Sequence, residues 1–513
     1  MSYLKVVDSR GEKIPFSALQ LPYEGAATGR RMSSWGTSTM GPNASLYGSL
    51  NRLRSRTREL IRNNPLVDGS VDTFVSNLVG TGISPRWQVD NPELKTQIQD
   101  LWNDWTEEAD LNGLCDFYGL QSLVSRALID AGECLVKFIP RSANEDLSVP
   151  LQLQVLEADH LDESYNTIAP NGNEIRMGIE IDAEGKRQAY WLFKEHPGEY
   201  FILSGINRID RVRVPASECL HIFRPMRPGQ MRGRPWLSSI IVKLRELDQY
   251  EDAELVRKKT AAMFGGFIEE AAGADDSRYL GRDAGTDANQ AQIIALEPGT
   301  FPLLPPGKKV SFSSPVDVGV TYAVWIKQQL REIAQGIGIT YEQLTGDLSD
   351  VNYSSIRAGL LEFRRRCVNL QFQTLVFQFC KPVSKRWMDA AVLSGALNIA
   401  GYFPNRRIYR RIKWRPDGWP WVDPVKEILA EQLAIRNGLK SRAQSIAERG
   451  GDVESVDKEI AEDNARADDL GLIFDSDPRK TSSSGSIQKA TDAAIAESMT
   501  ATSSPATQQQ QGA

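Results

Sequence analysis

The amino-acid sequence predicts an α+β fold, and three observations carry that prediction. Mostly apolar residues recur at helical spacing from Ile356 to Phe377, where the steps alternate between four and three residues. Short β-rich runs follow one another over 134–223 and are separated by turn residues. The chain has 513 residues and an apolar fraction of 41%, which is enough to bury a core.

The first hundred residues predict an arm followed by helices. Residues 1–50 lack periodicity and are rich in Gly, Ser and Thr, so we expect an extended arm. From Asn51, "NRLRSRTRELIRNN" has the spacing of a helix, and Pro65 should end it. A second helical stretch, "VDGSVDTFVSNLVGTG", should close at Gly80 and Gly82.

The β-rich runs include one clear hairpin. The stretch "IDAEGKRQAYWLF" places Glu184 and Gly185 between two strand patterns, which is typical of a tight turn. The strand cluster and the helices before it are therefore predicted to form one α+β domain over about 51–235.

The second half is predicted to be mainly helical. Apolar spacing indicates a helix over 236–264 and another near 318–335, with a polar insertion between them. The long pattern from about 353 to 395 should be kinked or interrupted at Pro382. Residues 425–470 hold three short helical patterns, and the low-complexity sequence from about 476 is predicted to be disordered.

Composition excludes several classes of function. The 60 basic and 66 acidic residues nearly cancel, whereas a protein that grips DNA through its phosphates is usually basic. Any DNA contact should therefore be local or transient. No signal peptide and no run of about 18 apolar residues is present, so we expect no membrane partner and a cytosolic chain.

The sequence also lacks the motifs of an enzyme or a cofactor site. The three histidines are far apart, the five cysteines form no CxxC pair, and neither GxSxG nor a phosphate-binding loop occurs. We therefore expect no catalytic residues, no metal and no cofactor. A pattern over 440–467 scans like a helix-turn-helix, but its second helix has a net charge of −4, which DNA would repel.

Three basic strips remain, at 52–62, 224–234 and 405–415. The middle strip, "RPMRPGQMRGRPW", is also rich in proline and leads directly into the helical pattern of 236–264. Acidic segments elsewhere balance these strips, which favours complementary contacts between copies of the chain.

Five stretches in series resemble the lambda-like portal proteins of tailed bacteriophages. They are "SRTRELIRNNPLVDGSVDTFVSNLVGTGISPRW", "HIFRPMRPGQMRGRPWLSSIIVKLRELDQYEDAELVRKKTAAMFGGFI", "LEPGTFPLLPPGKKVSFSSP", "LREIAQGIGITYEQLTGDLSDVNYSSIRAGLLEFRR" and "RPDGWPWVDPVKE". Together they cover roughly 50–470 in the same order.

The resemblance implies a dodecameric ring at a unique capsid vertex, a channel for DNA packaging and ejection. The implied partners are the large terminase, a head–tail connector, the major capsid or scaffold protein, and double-stranded DNA bound non-specifically. The expected location is the virion, with assembly in the host cytoplasm.

The resemblance also divides the chain into regions. They are a flexible N-terminal arm (1–50), an α+β wing (51–235), stem helix 1 (236–264), the clip (265–316), stem helix 2 (317–339), a tunnel loop (340–353), a long kinked wing helix and its return (354–424), a helical crown (425–472) and a disordered tail (473–513).

Two sets of site residues follow from this division. The tunnel loop and the start of the next helix should come nearest to DNA through Tyr341, Gln343, Asn352, Tyr353 and Arg357. Contacts between subunits should join the arginines of the middle strip to the acidic part of a neighbouring stem helix, through Arg227, Arg232, Arg234, Glu251 and Asp252.

Two alternatives stay open. The chain could be a minor capsid or assembly protein without a channel, or, less favoured because of the charge of 440–467, a DNA-binding regulator. A ring with an axial hole in electron micrographs separates the first alternative from a portal, and a gel-shift assay addresses the second.

Overall fold

A computed structural model describes 34–142, 144–199, 210–263, 321–349, 351–420 and 423–474, together with Arg30, Asp477 and four short strands within 267–311. Most of the predicted clip and tail, and the first 29 residues of the predicted arm, lie outside these described residues.

Helices dominate both ends of the described chain. They are α1 (Pro42–Leu46), α2 (Leu50–Asn63), α3 (Pro65–Val79), α4 (Pro92–Glu108), α5 (Phe117–Asp130), α6 (Ile241–Met263), α7 (Thr321–Ile337), α8 (Tyr341–Thr345), α9 (Tyr353–Leu370), α10 (Lys381–Ser394), α11 (Arg406–Tyr409), α12 (Pro424–Arg436), α13 (Arg442–Ala447) and α14 (Val453–Asp469).

The strands lie mostly between α5 and α6. They are β1 (Ser84–Trp87), β2 (Glu133–Pro140), β3 (Leu151–Glu157), β4 (Thr167–Ile168), β5 (Glu174–Arg176), β6 (Ile179–Ile181), β7 (Arg187–Phe193), β8 (Arg211–Pro215), β9 (Cys219–Phe223), β10 (Phe267–Glu270), β11 (Gly285–Thr286), β12 (Gln292–Ile293), β13 (Lys308–Ser311) and β14 (Ile412–Arg415). The predicted mixture of helix and sheet is therefore confirmed.

Among the described residues, two antiparallel sheets have more than two strands, and the pairs β1–β14, β10–β13 and β11–β12 form three further two-stranded sheets. Of the two larger sheets, one has the order β3-β2-β9 and the other is a meander, β4-β5-β6-β7-β8. The β6–β7 hairpin turns where the sequence predicts, since Gly185 has φ +82° and its amide donates to the carbonyl of Asp182.

Local sequence explains how the first helices begin and end. The side chain of Asn64 accepts hydrogen bonds from the amides of Leu66 and Val67, so it caps α3 at the point where Pro65 ends α2. Gly80, with φ +60°, follows the last residue of α3.

The predicted arm is partly folded. Asn43, in α1, donates from its side chain to the carbonyl of Gly229 and accepts from the amide of Met231, at 3.0 and 2.8 Å. Leu46 and Leu50 are buried nearby. The expectation of an extended arm therefore fails for its last residues, because these two contacts fix them on the middle basic strip.

The long helical stretch differs from its prediction in the position of its irregularity. The chain stays helical from Tyr353 to Ser394, and the ten residues Gln371–Cys380 form a π-helical segment. At its end the amide of Lys381 donates to the carbonyl of Val376, five residues back. Pro382 is the second residue of α10, directly after this widened segment, so the proline does not interrupt the helix.

Aromatic residues from distant parts of the chain form the centre of the largest core. The ring of Trp102 lies 5.0 Å from those of Trp105 and Trp387 and 5.3 Å from that of Phe117. All four side chains are fully buried. This cluster joins α4 and α5 to α10, and thus the first part of the subunit to the last.

Helices α6 and α7 contribute residues such as Leu244 and Ile333 to this core and pack on each other. Tyr250 contacts Tyr322 and Trp325 across the pair, with ring centroids 6.1 and 4.7 Å apart. Their outer faces expose large apolar side chains, among them Val242 (68%) and Val324 (71%). An isolated pair of helices with such faces leaves apolar surface uncovered.

Candidate assembly and DNA-contact surfaces

The middle basic strip is held from within by Arg232. This side chain is fully buried and binds Glu133, with distances of 2.6 Å from Nη2 to Oε1 and 2.9 Å from Nε to Oε1. It also donates to the carbonyls of Met177 and Leu161. The expectation that Arg232 contacts a neighbouring subunit is therefore corrected. Its guanidinium is buried and donates its hydrogen bonds to groups of its own subunit.

Glu133, the first residue of β2, accepts hydrogen bonds from several distant parts of the chain. Besides Arg232, its carboxylate accepts from Arg54 of α2 at 3.2 Å, His221 of β9 at 2.9 Å and the amide of Gly233 at 2.6 Å. Burial alone would raise the pKa of Glu133, but Arg232, His221 and Arg54 outweigh burial and hold this pKa well below its usual range.

His221 is neutral in this arrangement. Its Nδ1 lies 3.0 Å from Nη1 of Arg187, which can only donate, so Nε2 carries the proton and donates to Glu133. Burial lowers the pKa of His221 to about 4, although the carboxylate of Glu133 acts in the opposite direction. No sequence signal links Glu133 to residues 88 and 99 positions away.

The other predicted contact residues between subunits are on the surface. Arg227 and Arg234 are exposed, and Arg227 donates to the carbonyl of Met40 at 3.3 Å. Glu251 and Asp252 are exposed on α6. Their role in a contact between subunits stays a prediction.

The predicted tunnel loop is more ordered than a loop, because it contains α8. Thr340 and Gln343 form a reciprocal capping box at its start, and Gly346, with φ +70°, follows its end. The hydroxyl of Tyr341 donates to Asp347 at 3.2 Å. The polar groups of Tyr341 and Gln343 are thus engaged in shaping this segment.

The start of α9 carries the remaining residues of the predicted DNA contact. Asn352 caps the helix by accepting from the amide of Ser355 at 2.8 Å. Arg357 forms an ion pair with Glu427 of α12 at 3.6 Å and is partly exposed. The side chain of Tyr353 lies outside the described residues. The DNA contact itself stays a prediction.

One group of side chains has the composition of a metal site but not its chemistry. Glu157, Asp159 and His196 bring ligand atoms within 4.8 Å of one another. However, Nδ1 of His196 accepts from the amide of Gly198, so its proton is on Nε2, which faces Glu157 at 3.1 Å. Arg58 pairs with both carboxylates. With the imidazole proton and a guanidinium already in place, this group does not fit a cation.

Among the described residues, no helix combines the length and the apolar character that crossing a bilayer requires.

Comparison with known proteins identifies the family. A profile described as "Phage portal protein, lambda family" matches residues 28–371, more than half of the chain. The chain belongs to the lambda family of phage portal proteins. The resemblance seen in the sequence is thereby confirmed.

Two named portal proteins from phages are also similar to this chain. The chain is 30% identical to the "Probable portal protein" of Halomonas phage phiHAP-1 over 448 residues, which cover 83% of this chain and 82% of that one. It is 22% identical to "Portal protein B" of Escherichia phage lambda over 475 residues, 84% and 87% of the two chains.

Solved structures of gene transfer agent particles show a weak likeness. The neck of an empty particle matches with a TM-score of 0.45 and 17% identity, over 83% of this chain and 99% of that one. The neck of a native particle matches with a TM-score of 0.44 and 17% identity, over 77% and 92%. These values are too low to support an inference.

Removing the charge of Glu133 should destabilise the subunit strongly. In Glu133→Gln, the guanidinium of Arg232 stays buried without its counter-ion, and we expect a loss of about 3–5 kcal/mol in the free energy of unfolding. Chemical denaturation followed by circular dichroism measures it. Glu174→Gln, which removes an exposed carboxylate paired with Arg176, is the control and should change stability by less than about 0.5 kcal/mol. Equal effects in the two variants would contradict the interpretation.

Asp130, the last residue of α5, should make stability depend on pH. Burial, followed by the nearby Glu157 and Asp159, raises its pKa to about 7 against the pull of Arg58. Its Oδ1 has no hydrogen-bond partner, and an anion at a helix C-terminus is unfavourable. The folded state therefore holds a proton that the unfolded state releases near pH 4, so this contribution to stability is lost as pH rises through 7.

Asp130→Asn should accordingly stabilise the protein by about 2 kcal/mol at pH 8, and the gain should shrink towards pH 4. Urea denaturation of the unmodified protein and of Asp130→Asn at several pH values measures the difference in their free energies of unfolding. The pH dependence that Glu133 and His221 cause is the same in both proteins, so it cancels in this difference. A gain that is the same at all pH values would show that Asp130 does not titrate near neutrality.

Proposed function

We propose that this chain forms a dodecameric ring at a unique capsid vertex, and that the ring is the channel through which double-stranded DNA is packaged and ejected. The observation that carries this proposal is the family match over residues 28–371. The virion vertex is the proposed location, after assembly in the host cytoplasm.

The surface of the subunit supports lateral assembly. Helices α6 and α7 expose the side chains of Val242, Val256 and Val324 in the described subunit. Burying these side chains between neighbouring copies stabilises an assembly at about 25 cal/mol per Å² of apolar surface. A ring whose copies stand side by side covers them on both sides of every subunit.

The charge balance suits a channel through which DNA slides. Each phosphate that a lysine or arginine neutralises adds binding free energy, which DNA must overcome when it moves along the channel. A chain of net charge −6 avoids such a grip over most of its surface. In the predicted tunnel loop, Glu342 and the ionised Asp347 add negative charge, because hydrogen bonds from Ser349 lower the pKa of Asp347.

The proposed partners follow from the family. We assign the docking of the large terminase and of the head–tail connector to the clip, with its polar stretch 269–290 as the contact. The contact with the major capsid or scaffold protein is assigned to the outer surface of the ring. The clip lies largely outside the described residues.

Electron microscopy of the purified full-length protein tests the proposal. Negative-stain images should show rings with an axial hole, and native mass spectrometry should give the number of copies. A compact monomer at high protein concentration, or a closed shell fragment without a hole, would overturn the channel and favour a minor capsid or assembly protein.

Charge reversal at Arg357 tests the DNA contact. Arg357→Glu should leave rings intact and change packaged DNA length or genome retention several-fold, because a repelling group replaces a cation near the duplex. The matched control is Arg176→Glu, which reverses an exposed arginine of β5. Normal packaging and retention in intact Arg357→Glu rings would remove this residue from the contact.

A further inference from the structure

Three exposed arginines from two parts of the chain come together at the start of α6. Arg224 and Arg234 belong to the middle strip and Arg366 to α9, and we call these three residues the basic patch. Burial lowers the pKa of Arg224, and the neighbouring charges of Arg366 and Arg234 lower it further. Among the described residues, none of the three forms an ion pair with a carboxylate.

The basic patch borders a cavity of about 550 Å³ between α7, α8 and α9. Arg224 and Arg366 line it together with Arg331 and Arg365, and its one acidic side chain, Glu362, already pairs with Arg365 at 2.6 Å. Gly338, with φ +100°, lets the guanidinium of Arg366 lie against its backbone, since a Cβ there would overlap Nη1. The cavity therefore concentrates positive charge, and none of the described carboxylates forms an ion pair with Arg224, Arg331 or Arg366.

A matching excess of negative charge lies on α6. Asp248, Glu251 and Asp252 are exposed on one face of the helix, and we call them the acidic patch. Burial and the repulsion from Asp248 and Asp252 raise the pKa of Glu251. No cation forms an ion pair with these three carboxylates in the described part of the chain, although Arg245 lies on the same helix.

We propose that the basic patch of one copy binds the acidic patch of the next copy around the ring. The inference rests on the proposed ring and names the surfaces that close it. Within the described residues, each patch holds three charges without an ion-pair partner, so a head-to-tail contact would neutralise both patches together. Such a heterologous contact is the kind that generates a cyclic assembly. The sequence predicted that Arg232 takes part in this contact. Because the side chain of Arg232 is buried, we assign its place to Arg224 and Arg366.

A DNA phosphate is the other anion that the basic patch could bind. The pairing between copies is favoured because the acidic patch needs a cationic partner as well, which DNA does not supply. One contact then accounts for both patches. Opposite charges paired across an interface determine how the two copies align more than they add affinity.

Charge reversal in two separate proteins tests the pairing. One carries Arg224→Glu, Arg234→Glu and Arg366→Glu, and the other carries Asp248→Lys, Glu251→Lys and Asp252→Lys. Each alone should require at least about a hundredfold more protein to form rings, since like charges then face each other. Mixed in equal amounts, the two proteins should form rings again, because every contact between alternating copies joins opposite charges.

The controls separate folding and the proposed function from this inference. Asp100→Lys with Asp104→Lys and Glu107→Lys, a reversal of three exposed acids on α4, should leave rings unchanged. Circular dichroism confirms that each variant is folded, and recovery on mixing excludes misfolding. Absence of rings in the unmodified protein would overturn the proposed function itself.

Three results would overturn the pairing while the ring stands. The first is that both reversed proteins form rings like the unmodified chain. The second is that folded variants fail separately and also fail when mixed. The third is that the arginine variant forms normal rings but loses binding of a fluorescent DNA duplex, which would assign the basic patch to phosphate.

Discussion

One buried carboxylate holds the subunit together. Glu133 begins β2, and its partners come from α2, from β9 and from the strip that leads into α6. A buried charge is tolerated only when its partners are all in place, so the positions of these four segments depend on one another. The direction in which α6 leaves the core follows from this network, because Arg232 and Gly233 lie only a few residues before the helix.

The network explains why the arginines of the middle strip have different surroundings. Its arginines look equivalent in the sequence, yet Arg232 is buried against Glu133 while Arg224 and Arg234 face solvent. Because Arg232 is anchored, the strip holds its three exposed arginines, Arg224, Arg227 and Arg234, at the surface. Prolines restrict the strip further, which reduces the entropy lost when a partner binds it. A stiff cationic surface next to a long helix is thus a product of internal packing.

Local patterns predicted the elements of the fold well, and contacts between distant residues decided the rest. The α2–α3 boundary at Asn64 and Pro65 and the hairpin turn at Gly185 depend on neighbouring residues, so the sequence was sufficient for both. The π-helical segment before Pro382 and the pairing of Glu133 with Arg232 depend on tertiary packing, which periodicity does not contain. Because charge in a sequence does not reveal tertiary contacts, the sequence also predicted Arg232 at the surface, although its side chain is buried. The family itself was evident from five stretches in series, whereas the individual contact residues were not.

The docking of α1 limits how the chain can be processed. Asn43 satisfies the buried amide of Met231 and the carbonyl of Gly229, two residues on either side of Gln230. Cleavage before Pro42 would keep both of these hydrogen bonds but would remove Met40, whose carbonyl accepts from Arg227. Cleavage after Asn43 would remove both, and Gly229 and Met231 would lose the side chain that joins them to α1.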